Sequence, residues 1–290
     1  MKVLQWLGVT ALLTIVAMGI WAAVPCDHAS TSALKWFQFV QTIATFLIPP
    51  FICAWMWSDE PLRWLHLSRE PRVESRWFAA AFVLMILAIP GINLLADWNS
   101  HLKLPESMAG LEHWMRAQED AAMALTERFL SGTGVGILLV NIVLMALLPA
   151  MAEELTFRGL IMGLISGERL AVSGKRMHIA VWVTAILFSA IHLQFYGFVP
   201  RMLLGAMFGY MLVWTGTLWI PIVMHFTNNV ITVVAYWIIY RTGVNPEAVE
   251  TFGTGETAWV GWLSIALAAA GIYFFWRRSR QISNASSRIS

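Results

Sequence analysis

Long apolar runs, separated by short polar breaks, fill most of this chain. Crossing about 30 Å of hydrocarbon takes about 20 apolar residues in a helix. Runs at Val3–Val24, Ala33–Trp57, Trp77–Leu95, Val135–Phe157, Ile179–Phe195, Met202–Thr215, Leu218–Tyr240 and Ala258–Trp276 read as spans. The pattern predicts an all-α fold, a polytopic membrane helix bundle of about eight transmembrane helices in one integral membrane domain over residues 1–290. The first run is longer than the apolar stretch of a signal peptide, so it reads as an uncleaved anchor. The sixth is short, and its Gly205 and Gly209 are spaced four apart, which favours close helix contact.

The longest polar interruption, residues 97–134, carries a second periodicity. Met108, Leu111, Met115, Ala122, Leu125 and Phe129 recur at helical spacing, while Glu112, Arg116, Glu119 and Glu127 take other faces. An amphipathic helix is expected here, lying on the membrane or over the bundle on the extracytoplasmic side. After Trp276 the sequence turns polar, and residues 277–290 read as a disordered cytoplasmic tail.

Composition agrees with lipid as the main solvent. The chain of 290 residues is 58% hydrophobic and only 12% charged, against roughly a quarter charged in soluble domains. That excludes a nucleic-acid binder and an ordinary soluble enzyme, and it makes the lipid bilayer a partner. With the N-terminus inside, alternating spans put Lys2, Arg63, Arg69, Arg72, Arg76, Arg169, Lys175, Arg176, Arg277, Arg278, Arg280 and Arg288 on the inner side. The outer side receives Lys35, Lys103, Arg116, Arg128, Arg201 and Arg241. This asymmetry predicts both termini in the cytoplasm. Cys26 and Cys53 match no metal-ligand or disulfide pattern.

Three polar constellations break an apolar background in which a charge at the centre of a span costs about 2.5–3.5 kcal/mol. The first is Glu153-Glu154-Leu155-Thr156-Phe157-Arg158. Glu154 and Arg158 are spaced i,i+4 with the acid first, the favourable order for a pair. Glu153 then faces elsewhere without a sequence-near cation, as suits a general base; the bland reading of the cluster is a helix end at the interface. The second is Phe188 to His192, one helical turn apart. The third is His225 to Asn229, again on one helix face, with Asn228 pointing off it as interhelical glue. One shared buried site would satisfy a carboxylate, two imidazoles and an amide from three spans.

Those three motifs, in that order on membrane spans, resemble the CPBP family: the type II CAAX prenyl endopeptidases and their bacteriocin-processing, Abi-like relatives. The resemblance covers about residues 135–240, a protease core. It implies an intramembrane endopeptidase whose site opens towards the cytoplasm and whose substrate is a membrane-associated protein or peptide. Carried over by position, Glu153 and His192 activate the attacking water, His225 and Asn229 stabilise the oxyanion, and Glu154 and Arg158 support them. Nothing in the sequence identifies a prenylated substrate, and the short loops suit a bacterial inner membrane.

Metal dependence stays open between two readings. The chain has no His-Glu-x-x-His motif, which speaks for a glutamate-type mechanism without a cofactor. Zinc held by Glu153, His192 and His225 is the alternative. Two other functions compete: a non-catalytic scaffold or bacteriocin-immunity-type protein using the same polar face, and a proton-relaying transporter. The absence of similar halves argues against the transporter.

Overall fold

The computed structural model describes residues 1–68, 73–167, 174–245 and 251–286. Helix α1 spans Lys2–Ala23, α2 Thr31–Trp57, the short α3 Pro61–Trp64, and α4 Ser75–Ser100. They are followed by α5 Ala109–Leu130, α6 Val135–Ser166, α7 Lys175–Ala190, α8 Phe198–Thr215, α9 Trp219–Thr242 and α10 Ala258–Ser286. No strand occurs among the described residues. Apolar side chains cover the outside as well as the core: Leu4 is 73% exposed and Trp259 67%. Water would not tolerate so large an apolar exterior, and lipid requires it.

Among the described residues seven helices are long and apolar enough to cross a membrane, one fewer than the sequence pattern suggested. The helix below that length is α7, whose 16 residues rise about 24 Å. It still runs antiparallel along α8 through the bundle, from the end of α6 at Ile165 past Gly209 and Gly205, so the chain changes side across it. His192 lies beyond its end, in a turn rather than in the span. The doubtful sixth run is sound, since a 3-10 turn at Phe195–Gly197 extends it to a helical segment of 21 residues. Two further expectations change. Helix α6 continues to Ser166 instead of stopping at Phe157, and α10 runs through Ser286, so the polar tail from Arg277 is helical at least that far. Arg69, Arg72, Arg169 and Arg288, counted for the charge asymmetry, lie outside the described residues.

Helices α2 and α6 each contain widened, π-helical turns, at Ile43–Leu47 and Ile142–Leu147. Prolines follow both, Pro49 and Pro50 in α2 and Pro149 in α6. A proline lacks the N–H for its own i−4 bond and crowds that carbonyl, and a wider turn makes room for the ring. In α4, Pro90 has a different remedy. The Ser264 hydroxyl of α10 enters the interrupted ladder, accepting from the Gly91 amide at 2.9 Å and donating to the Leu87 carbonyl. A side chain on Gly91 would meet Ile265 at 2.8 Å, so glycine is what lets α4 and α10 close up.

The same logic brings α7 against α8. A Cβ on Gly205 would stand 3.2 Å from the Ala185 Cα, and one on Gly209 would stand 3.1 Å from Val181. The four-residue glycine spacing is therefore a packing seam, as expected. Amphipathic α5 lies over one end of the bundle: Glu119 accepts from the Tyr196 amide at 3.1 Å, Arg116 stacks 4.3 Å above the Tyr196 ring, and Trp114 meets Phe195. Arg128 ties the end of α5 to the connection between α1 and α2 through Thr31 and Ala29.

Candidate active site

Glu154 and Arg158 are not at an interface. They are 0% and 1% exposed, held in the middle of α6, and the Arg158 Nη1 donates to Glu154 Oε1 at 2.8 Å. Arg158 Nη2 donates to the Gly205 carbonyl at 3.0 Å, and the guanidinium stacks 4.4 Å from the Phe188 ring. A Cβ on Gly205 would press within 3.1 Å of that Nη2, so the α8 glycine serves the site as well as the seam. Burying this cation is tolerable because a carboxylate, a carbonyl and an aromatic face replace its water.

His225 of α9 joins the pair. Its Nδ1 lies 2.9 Å from Glu154 Oε1, and its Nε2 faces Glu153 Oε2 at 3.8 Å. An ionised carboxylate only accepts, so Nδ1 carries a proton towards Glu154. The imidazole stacks on Phe208 at 5.5 Å and meets the edge of Phe188 at 5.8 Å. Glu153 thus has a partner that its own helix could not reveal: the histidine of another span. Glu154 Oε2 has no hydrogen-bond partner among the described residues.

His192 stands on the other side of Phe188, whose ring lies 5.2 Å away. Its Nδ1 is 2.7 Å from the Phe188 carbonyl. A carbonyl cannot donate, so Nδ1 holds the proton and Nε2 keeps a free lone pair. Asn229 lies one turn beyond His225 on α9, and its Oδ1 accepts from Asn228 Nδ2 at 3.1 Å. That bond leaves the Asn229 amide N–H groups as its free donors.

Glu153, His192, His225 and Asn229 all line one cavity of about 590 Å³. Asn228, expected to act as glue, lines it too, and so does Arg201, expected in an outer loop. Arg201 donates to the Gln194 carbonyl at 3.2 Å and to Gln194 Oε1 at 2.8 Å. The sequence did hold a signal for it: an arginine beside a proline at the head of an apolar run. Lys35, counted on the outer side at the head of the second run, belongs to α2 and donates at 2.6 Å to buried Asn141. The cavity includes Thr126 and Leu130 of α5 and Tyr236 of α9, so it extends to the end of the bundle that α5 covers.

Among the described residues no three His, Cys, Asp or Glu side chains form a group that could hold a metal ion. His225 has a carboxylate facing each ring nitrogen, Glu154 at Nδ1 and Glu153 at Nε2.

Residues 135–231 match the model of a protein family, the type II CAAX prenyl endopeptidase Rce1-like family. This segment is similar to that family. It contains Glu153, Glu154, Arg158, His192, His225 and Asn229, and the family is one of endopeptidases. The chain is also similar to the uncharacterized protein YpbD of Bacillus subtilis (strain 168), 29% identical over 90 residues. That match takes in 30% of this chain and 40% of YpbD. No solved structure matches. The matched segment is thus α6 to the middle of α9, and α1 to α5 and α10 lie outside it.

Proposed function

We propose that this integral membrane protein is an endopeptidase that hydrolyses a peptide bond of a membrane-associated protein or peptide. The observation that carries the reading is the convergence of Glu153, His192, His225 and Asn229 on one cavity inside the bundle. Water bound between Glu153 and His192 gives a proton to the Glu153 carboxylate as its oxygen bonds to the scissile carbonyl carbon. His192 Nε2 accepts the second water hydrogen and fixes its orientation. Glu153 then returns the proton to the leaving nitrogen as the C–N bond breaks.

His225 and Asn229 hold the oxyanion. To donate from both ring nitrogens His225 acts as an imidazolium in this step, with Glu154 at Nδ1 and Glu153 at Nε2. As Glu153 takes up the proton, the negative charge facing His225 Nε2 passes to the oxyanion, and the imidazolium remains compensated. Donors fixed in advance in a water-poor site stabilise such charge without reorganising. Comparison of the membrane peptides of cells carrying wild-type or Glu153→Gln protein should show a product made only by wild type. Identical inventories would remove the reading.

The cavity also forces a choice between two expectations. Both termini in the cytoplasm, as the basic residues favour, puts α5 and the cavity mouth outside; a site open to the cytoplasm requires the reverse. We favour the charge asymmetry. Exposed Cys26 is at the α5 end of the bundle, and Cys53 is buried. A membrane-impermeant maleimide should therefore label Cys26 of intact cells. Labelling only after permeabilisation would turn the molecule over.

A further inference from the structure

At the end of the bundle opposite α5, the start of α4 and the last turns of α10 enclose a second cleft, of about 410 Å³. Arg76 of α4 and Arg277 and Arg278 of α10 line it, together with Trp77, Ala80 and Phe274. Three guanidinium groups on one small cleft repel one another, and the chain does little to offset them. Arg76 has exposed Glu74 at 2.6 Å, Arg278 donates to the neutral Gln281 at 3.0 Å, and Arg277 has no hydrogen-bond or ion-pair partner among the described residues.

The wall below the cations has the opposite character. Trp77 is buried with its ring 5.2 Å from Phe275, and Phe274 is 55% exposed. Both helices cross the hydrocarbon, so this boundary between cationic rim and apolar wall falls where phospholipid headgroups meet acyl chains.

We propose that this cleft is a binding site for one anionic phospholipid, with the phosphate on Arg277 and Arg278, Arg76 beside it, and an acyl chain along Trp77, Ala80 and Phe274. Guanidinium groups suit phosphate because their N–H pairs match its oxygens. Basic pockets between spans are an established way to hold such headgroups. A free phosphate shares the charge chemistry but would leave the aromatic wall without an occupant. The site is independent of the proposed peptidase chemistry.

Native mass spectrometry of the detergent-purified full-length protein tests it, with phosphatidylglycerol, phosphatidylcholine and inorganic phosphate as probes. Phosphatidylglycerol should be retained about tenfold more strongly than phosphatidylcholine. Joint Arg277→Gln and Arg278→Gln replacement should remove that preference, whereas Arg280→Gln, whose guanidinium lies over Trp276, should keep it. Equal retention of the two lipids, or an undiminished preference in the double variant, would overturn the site. Displacement of phosphatidylglycerol by equimolar inorganic phosphate would overturn the lipid as its occupant.

Discussion

Glu153→Gln is expected to give a folded protein that has lost about 10²–10⁴ of its peptidase rate, the usual contribution of a positioned acid–base group. The substitution keeps the side chain's shape and removes only its capacity to take a proton. The neighbouring Glu154→Gln should behave differently, although it is the same chemical change. Glu154 is fully buried and receives both Arg158 and His225. Without its charge, Arg158 becomes an uncompensated cation in the bundle, a loss of about 3–5 kcal/mol when a buried pair is broken. Thermal unfolding in detergent, measured beside the release of a peptide product, separates the two. A fall in melting temperature of equal size in both variants would mean that Glu153 is another structural carboxylate and not the base.

Activity is expected to survive exhaustive chelation and dialysis, and Asn229→Ala is expected to cost on the order of 10²–10³ in rate, the loss seen when one oxyanion donor is removed. The reason for pairing these results is geometric. The Asn228 bond occupies Asn229 Oδ1 and leaves its N–H groups to the cavity, while His225 turns each ring nitrogen to a carboxylate. A metal site would respond in the reverse sense: His192→Ala and His225→Ala would each release bound zinc, and Asn229→Ala would not. Elemental analysis of purified wild type and the three variants reads this directly. One zinc per chain, absent from both histidine variants, would defeat the metal-free chemistry and leave the peptidase reading in place.

The division between readable and unreadable features follows the range of the forces involved. Apolar length alone located the seven long membrane helices and counted the shorter α7 with them, because insertion into lipid depends on local transfer energy. The Glu154–Arg158 pair was equally local, since a helix places residues four apart on one face. The glycines at 205 and 209 announced a tight seam for the same reason. Proline was visible too, but its remedy was not: the widened turns of α2 and α6 and the Ser264 insertion into α4 depend on neighbours.

The sequence by itself determined which side chains are too polar for their surroundings, since that needs only a residue and its flanks. It could not determine what those side chains meet. The contact between Glu153 and His225 joins α6 to α9 across 72 positions of chain, and Arg201 reaches the cavity only because α7 is short and α8 begins early. The mouth of the cavity was likewise hidden, since α5 covers one end of a bundle whose two ends look alike in a hydropathy pattern. Lipid prescribes depth for each helix separately, and only packing prescribes which polar faces share a cavity.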